Sequence, residues 1–228
     1  MICEVWQLGR MAYADALALQ MQLSEERGTA EGVDRLLLLE HPHTYTLGSS
    51  GHEEYVLWSH EERERLGIEL FRADRGGDVT YHGPGQIVAY PILQLPRDHE
   101  LRTNVFGYVR SLEQVIIGTL WAYGIKSKPI PGLTGVWVDT PRGDEKIAAI
   151  GVRINVKAVT RHGFALNVNT DLHYFDGIIP CGIRDKGVTS MAALLGAPVD
   201  ETDVQRTLIE QFGAVFGYEM VESTRRQA

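Results

Sequence analysis

Cysteine is scarce in this 228-residue sequence, and neither a long hydrophobic run nor an excess of positive charge is present. The two cysteines, Cys3 and Cys181, are distant, and we expect them to stay reduced, as is usual inside the cell. No stretch reaches the ~18 consecutive apolar residues that a membrane span requires. The first residues also lack the basic and apolar regions of a signal peptide. We therefore expect a cytoplasmic protein with no membrane partner.

The charge balance restricts the partners further. Asp and Glu (30) outnumber Lys and Arg (22), which gives a formal net charge of −8. Proteins that bind nucleic acids generally present a basic face, so no nucleic-acid partner is predicted. No repeat, low-complexity tract or Pro/Gly/Ser-rich linker divides the chain. We predict a single catalytic domain over residues 1–228.

Helix and strand patterns follow one another without regular alternation. Amphipathic or helix-forming stretches predict helices at 12–27, 58–66, 103–123 and 203–216. Short apolar stretches predict strands at 5–8, 35–40, 87–93, 135–139, 146–156 and 163–168. Pro91 indicates that its strand either stops there or lies at a sheet edge. The pattern predicts an α/β (α+β) fold in which helices pack on a mixed sheet.

The densest candidate for a site is the glycine-rich segment 75–86, interpreted as a long loop. Four glycines and one proline let a ligand approach the backbone, and Arg75, Thr80, Tyr81, His82 and Gln86 add polar groups. The segment lacks the Gly-Lys-Ser/Thr of a phosphate-binding loop and the Gly-x-Gly-x-x-Gly of a dinucleotide site. We interpret it as a binding site, without a case for a nucleotide.

Two single residues are candidates for chemistry. Cys181 stands in Pro180-Cys181-Gly182, where a loop would leave its thiol accessible, although a lone cysteine is more often a buried apolar residue. Lys146 leads into an apolar strand, where it is either a charge at the strand end or a group that reaches a site. An ammonium near a thiol lowers the thiol pKa, which would make the pair a nucleophile and proton shuttle.

The histidines do not indicate a metal site. His41 and His43 are two residues apart, but no Cys, Asp or Glu cluster completes a zinc set around them. His82 and His162 each adjoin a glycine-containing strand or loop end and are the better candidates for a site. No metal is predicted.

The motifs together resemble those of a known family. Arg75-Gly76-Gly77, Thr80-Tyr81-His82, Gln86 and Tyr90 form a long, mixed signature that is similar to that of the octanoyltransferases of lipoate biosynthesis. The segments 38–48 and 134–137 resemble other parts of that family, so the likeness spans essentially the whole chain. The fold that it implies is that of the biotin/lipoate protein ligase group.

The resemblance also implies roles for individual residues. It implies that Cys181 carries an octanoyl thioester and that Lys146 is its acid/base partner, with no cofactor. The implied donor is octanoyl-acyl carrier protein, and the implied acceptors are lipoyl domains of 2-oxoacid dehydrogenase complexes and the glycine cleavage H protein. The implied substrate-binding residues are Arg75, Gly76, Gly77, Asp78, Val79, Thr80, Tyr81, His82, Ala149, Ile150, Gly151, Gly163, Phe164 and Ala165.

Three other functions are compatible with the residues. An ATP-dependent lipoate or biotin ligase of the same fold group would form an acyl-adenylate and need no cysteine. A binding module would hold an acyl or peptide ligand without turnover. A Cys/His peptidase would use His82 or His162 as its base, and Lys146 would then be dispensable.

Overall fold

The computed structural model describes residues 1–100, 102–179 and 186–223. Within these ranges there are twelve strands and five α-helices. The strands are β1 (Ile2–Arg10), β2 (Asp34–Glu40), β3 (Thr44–Leu47), β4 (Glu69–Arg72), β5 (Val79–His82), β6 (Gln86–Ile92), β7 (Lys128–Ile130), β8 (Leu133–Thr140), β9 (Gly143–Ile154), β10 (Thr160–Asn167), β11 (Gly187–Val188) and β12 (Glu219–Glu222). The helices are α1 (Tyr13–Arg27), α2 (His60–Arg65), α3 (Val105–Ala122), α4 (Met191–Leu195) and α5 (Glu201–Phe216).

Nine of the described strands form one mixed sheet. The order is β12-β1-β2-β6-β10-β9-β8-β7, and β11 pairs with β9. Strand β1 runs parallel to both of its neighbours, and β11 runs parallel to β9, whereas the pairs from β2 through to β7 are antiparallel. The other three strands form a small sheet in the order β4-β3-β5. The predicted mixed sheet with packed helices is therefore confirmed.

Local signals explain where the helices begin and end. Ser59 accepts a hydrogen bond from the backbone of Glu62, whose carboxylate accepts one from the Ser59 backbone, so a capping box opens α2. The side chains of Asn104 and Asp200 cap α3 and α5. Helix α5 ends at Gly217, whose φ of 72° suits a residue without a Cβ. The four predicted helices therefore begin and end within two residues of the observed bounds.

The main sheet has helices on both faces. One core contains Leu38, Phe164 and Leu208 and lies between the sheet and α3 with α5. A second core contains Leu37 and Ala165 and lies under α1 on the other face. A third, smaller core contains Tyr81 and fills the space beside the small sheet. Burial of these apolar side chains is the main stabilising contribution to each layer.

One expectation from the sequence was confirmed in one of its two alternatives, and another was wrong. Strand β6 lies between β2 and β10, so Pro91 is not at a sheet edge, but the strand stops at Ile92, directly after the proline. The proline is tolerated because the pairing with β10 ends at Ala89, two residues before it. The glycine-rich segment 75–86 is not one loop, since it contains β5, where Val79 and Tyr81 are buried in the third core. The surrounding glycines concealed this short alternation.

Candidate functional site

A cavity of about 370 Å³ lies between the main sheet and the small sheet. Its volume is in the range of small-molecule sites, roughly 300–1,000 Å³. It is lined by Tyr13, Ser50, Arg75, Gly77, Asp78, Val79, Thr80, His82, Gln86, Tyr90, Gly132, Leu133, Thr134, Lys146, Ala149, Ile150, Gly151, His162, Gly163, Phe164, Ala165, Asn167, Phe175 and Val188.

Four small residues form part of the cavity wall on the main sheet. In the antiparallel pairing of β9 with β10, Ala149 is opposite Ala165, and Gly151 is opposite Gly163. Side chains alternate between the faces of a strand, so both pairs share the face that carries α1. Ile150 and Phe164 also border the cavity, but their side chains pack with the core under α3 and α5.

Lys146 reaches the same cavity because the strand is irregular. The register between β8 and β9 shifts between Val136 and Trp137, where one step on β8 corresponds to two steps on β9. Ile147 and Ala148 consequently both pack in the core under α3 and α5. A bulge of this kind redirects the next side chain, which turns Lys146 to the face occupied by Ala149. A strictly alternating strand would direct it away from the cavity.

The surroundings of Lys146 are specific. The residue is 7% exposed, and its Nζ lies 4.7 Å from the centroid of the Trp137 ring. A Cβ added to Gly135 would lie 3.4 Å from Cε of Lys146. A side chain at position 135 would therefore crowd the aliphatic part of the lysine. Val188 in β11 pairs directly with Lys146. Neighbouring backbone and one aromatic ring therefore hold the buried Nζ of Lys146 at the cavity.

The loop before β5 closes one side of the cavity. The buried guanidinium of Arg75 donates to both the carbonyl and the hydroxyl oxygen of Thr46, each at 2.7 Å. The backbone N–H of Gly76 donates to the carbonyl of Val152 at 3.0 Å, which attaches the loop to β9. Gly77 has a φ of 87°, which a glycine adopts without strain. The loop is therefore fixed to both sheets.

A directional hydrogen-bond chain runs along the cavity wall through His82. The Nε2 of Gln86 donates to the side-chain oxygen of Asn167 at 2.9 Å and to the carbonyl of Tyr81 at 3.2 Å. The Gln86 Oε1 is therefore the acceptor for Nδ1–H of His82 at 3.0 Å. Burial lowers the pKa of His82 well below its ordinary value. The ring is thus neutral with its proton on Nδ1.

Two other histidines beside the cavity are held by protein groups. Nδ1 of His41 lies 2.8 Å from the carbonyl of Met11, and Nε2 lies 2.8 Å from the Tyr90 hydroxyl. Burial lowers the pKa of His41 to about 4. His162 has an unusual positive φ of 55°, and its Nε2 lies 2.7 Å from Asp74, while burial lowers its pKa.

No group of three or more His, Cys, Asp or Glu side chains suited to a metal ion occurs in the part of the chain that the structure describes. The two ring nitrogens of His41 both have protein partners, and His43 bonds Tyr81 through Nδ1 at 2.8 Å. None of the described helices is long and apolar enough to cross a membrane.

Most of the residues implied by the resemblance border this one cavity. They are Arg75, Gly77, Asp78, Val79, Thr80, His82, Ala149, Ile150, Gly151, Gly163, Phe164 and Ala165, together with Lys146. Gly76 and Tyr81 are not in the lining, since Tyr81 packs in the third core and Gly76 faces β9. Cys181 lies outside the described residues. Whether the lining residues bind substrate stays a prediction.

The sequence did not single out several lining residues. Tyr13 begins an ordinary-looking helix, and Asn167 ends an apolar strand. Phe175 belongs to a short 3-10 helix, Leu172–Gly177, which has no strong periodicity. The signal available in the sequence was Asn167 itself, a polar residue at the end of an apolar strand, where an amide that is buried needs a hydrogen-bond partner.

Comparison with known proteins yields one consistent family. The protein-family model described as lipoyl protein ligase A/B catalytic domain matches residues 12–213 of this chain. An octanoyltransferase of Solibacter usitatus is 52% identical over 219 residues, which are 96% of this chain and 95% of the relative. An octanoyltransferase of Chloroflexus aurantiacus is 47% identical over 215 residues, 94% of each chain.

Solved structures share the fold at low sequence identity. A lipoate-protein ligase A bound with ATP has a TM-score of 0.73 at 16% identity, covering 100% of this chain and 90% of that chain. A putative lipoate protein ligase from T. acidophilum with bound lipoic acid has a TM-score of 0.74 at 16% identity, covering 100% and 91%. The chain therefore has the architecture of the lipoate ligases.

Proposed function

The chain belongs to the lipoyl protein ligase A/B catalytic domain family and, within it, to the octanoyltransferases, and from this premise we propose that it transfers an octanoyl group to a lysine of lipoyl domains. The proposed donor is octanoyl-acyl carrier protein. The proposed acceptors are the lipoyl domains of 2-oxoacid dehydrogenase complexes and the glycine cleavage H protein. The single-domain organisation and the cytoplasmic location stay predictions.

The observation that supports the proposal is the position of Lys146 beside a cavity with a partly apolar lining. The lysine is buried, and the small residues Ala149 and Ala165 line the same space. Burial of a hydrocarbon chain contributes ~0.8 kcal/mol per methylene, so an eight-carbon acyl group gains several kcal/mol of binding there. A buried amine next to such a chain is suited to proton transfer at the acyl carbonyl.

The first half-reaction forms an acyl-enzyme. Lys146, as the free amine, takes the proton of the Cys181 thiol, and the thiolate attacks the carbonyl carbon of the donor thioester. The bond from that carbon to the carrier sulfur breaks, and the carrier thiolate leaves with the proton from Lys146. The products are the carrier thiol and octanoyl-Cys181. The role of Cys181 rests on the sequence and the family.

The second half-reaction releases the acyl group. The neutral amine of the acceptor lysine attacks the acyl carbon of octanoyl-Cys181, and the bond to sulfur breaks to give an amide. Lys146 accepts the proton that the attacking amine loses and returns it to the Cys181 thiolate. A thioester donor already carries the activation that an amide bond requires, so ATP is unnecessary.

Intact-mass measurement after incubation with octanoyl-acyl carrier protein tests this route. We expect an octanoyl adduct on the protein that is absent in Cys181→Ala and forms far more slowly in Lys146→Ala. Lys186→Ala is the matched control. The wild-type Lys186 Nζ lies 5.7 Å from the centroid of the same Trp137 ring, but it donates a hydrogen bond to Asp144 at 3.2 Å and has no proposed role in the reaction. The adduct of Lys186→Ala should form at the wild-type rate.

Two results would overturn the proposal. An adduct that persists in Cys181→Ala would contradict the covalent mechanism. Acylation of a lipoyl domain that requires ATP and free octanoate, with no adduct, would instead indicate an acyl-adenylate route of the kind used by protein ligases.

A further inference from the structure

The cavity has a closed end formed by the loop before β5. A Cβ added to Gly151 would lie 2.8 Å from the carbonyl oxygen of Gly76 and 3.0 Å from Cδ of Arg75. The loop backbone therefore rests directly on Gly151, with no room for a side chain between them. Because Arg75 is also bonded to Thr46, this end wall is fixed to the small sheet.

The distance from Lys146 to this wall can be estimated along β9. A strand advances about 3.3 Å per residue, so Ala149 lies roughly 10 Å along the strand from Lys146 and Gly151 roughly 16 Å, somewhat less with the bulge. An octanoyl chain has seven C–C bonds of about 1.5 Å, a contour length of about 10 Å. The bulge shortens both distances, and the loop atoms seated on Gly151 hold a chain end about 3.5 Å away. A chain with its carbonyl at Lys146 would therefore pass over Ala149 and end in contact with the loop.

The residues beneath that stretch are the smallest that have a side chain. Ala149 faces Ala165 across the strand pair, and Ala149 is partly exposed while Ala165 is 3% exposed. The adjacent Ala148 is on the opposite face and is 1% exposed in the core under α3 and α5. An added methyl group at 149 would occupy cavity space, whereas one at 148 would not.

We propose that the Ala149–Ala165 pair, together with the loop seated on Gly151, sets the length of the acyl chain that the cavity accepts. The inference rests on the proposed function for the identity of the chain as an acyl group and for the end at which its carbonyl lies. The two alanines fix the depth available under the distal half of the chain. The loop on Gly151 stops longer chains.

Calorimetric binding of free butanoate, hexanoate, octanoate and decanoate tests the proposal without requiring turnover. For the wild-type protein we expect affinity to rise by about four-fold per methylene up to octanoate and then to stop rising. In Ala149→Val the rise should stop two methylenes earlier. Octanoate should then bind about 15-fold more weakly, with butanoate unchanged within about two-fold.

The design includes a second variant and a control. Ala165→Val should give the same shift from the opposite strand, which covers the case in which one variant folds poorly. Ala148→Val makes the same substitution one residue away, and it should lower stability while keeping the wild-type length profile. Valine suits a strand, so neither cavity variant is expected to disrupt β9 or β10.

Three outcomes would contradict the proposal that these residues set the accepted chain length. These are a wild-type affinity that keeps rising through decanoate, an Ala149→Val profile equal to the wild-type one, or an equal loss for all chain lengths. Failure of the proposed function has a different signature. Binding that depends on chain length, without transfer from octanoyl-acyl carrier protein, would support the role of the alanine pair and contradict the proposed reaction. Transfer by the wild-type protein, with the same length profile in Ala149→Val, would support the reaction and contradict the role of the alanine pair.

Discussion

Lys146 and Trp137 are directly paired across β8 and β9, and Nζ of the lysine lies 4.7 Å from the indole centroid. The indole N–H donates to the carbonyl of Leu133 at 3.2 Å, which fixes the ring. In the proposed mechanism Lys146 becomes a cation when it takes the thiol proton, and a cation over an aromatic face gains about 0.5–2 kcal/mol, depending on how far it is desolvated. The ring therefore constrains the position of the lysine side chain beside the cavity.

We predict that Trp137→Leu slows octanoyl transfer by about ten-fold, since loss of about 1.4 kcal/mol of positioning energy corresponds to that factor. Trp137→Phe keeps an aromatic face and should lose less. Rates of lipoyl-domain acylation measure both, alongside urea unfolding to separate folding from chemistry. Equal loss in the two variants would show that the aromatic face is not what positions Lys146.

The sequence predicted the family, and the comparisons confirm it. The four helices were predicted within two residues because caps and periodic apolar positions are local signals. The direction of Lys146 was not predictable, because it depends on a bulge that arises from how β8 and β9 pair. The four-residue strand β5 was missed for a similar reason, since its stability comes from pairing with β3 and burial in the third core.

The cavity itself was only partly predictable. Glycine-rich and polar motifs indicated which segments matter, but Tyr13 and Phe175 come from segments with no distinguishing pattern. They reach the cavity through the packing of α1 and of a short 3-10 helix, which are long-range relationships. Two of the implied residues, Gly76 and Tyr81, adjoin lining residues yet face other parts of the molecule.

Gly135 offers a second prediction about the lysine. Its φ is 125°, and a Cβ there would lie 2.7 Å from the carbonyl oxygen of Ala148 and 3.4 Å from Cε of Lys146. We expect Gly135→Ala to lower the free energy of unfolding by about 2–3 kcal/mol and to reduce transfer. Gly143→Ala is the control on the same hairpin, with a φ of 99° and no atom within 4 Å of the added Cβ.

The comparison of these two variants separates the effect of the contact between residue 135 and Lys146 from the effect of backbone strain. Gly143→Ala should lose only the cost of an unfavourable φ, about 1–2 kcal/mol, and keep wild-type transfer relative to folded protein. If both variants retained full transfer once corrected for folded fraction, Gly135 would have no role in orienting Lys146.

Buried neutral histidines predict that mild acid destabilises the fold. The folded-state pKa of His41 is about 4, lowered by burial from 6.5, and the pKa of His82 is lowered by burial as well. The unfolded chain therefore binds protons that the folded chain does not, so this stability is present above about pH 6.5 and is lost as pH falls toward 4. His41 alone accounts for roughly 2 kcal/mol by about pH 5.

Urea unfolding at about pH 7.5 and pH 5 measures this dependence. His41→Gln should remove part of the loss, since glutamine keeps one donor and one acceptor but does not titrate. His60→Gln, at a histidine on α2 whose side chain is 75% exposed, is the control and should keep the wild-type pH dependence. A His41→Gln protein as acid-sensitive as the wild type would contradict the assignment to this residue.

Tyr13 and Tyr90 both line the cavity with buried rings, yet their hydroxyl groups differ in bonding. The Tyr13 hydroxyl has no hydrogen-bond partner among the described residues, whereas Tyr90 donates to Nε2 of His41 at 2.8 Å. An unsatisfied buried hydroxyl is costly, so Tyr13→Phe should leave the free energy of unfolding unchanged or raise it by about 1 kcal/mol. Tyr90→Phe leaves Nε2 of His41 without its hydrogen-bond donor and should lower the free energy of unfolding by about 1–3 kcal/mol. Denaturant titration of the two variants provides the matched comparison, and a Tyr13→Phe loss as large as that of Tyr90→Phe would mean that the Tyr13 hydroxyl has a partner.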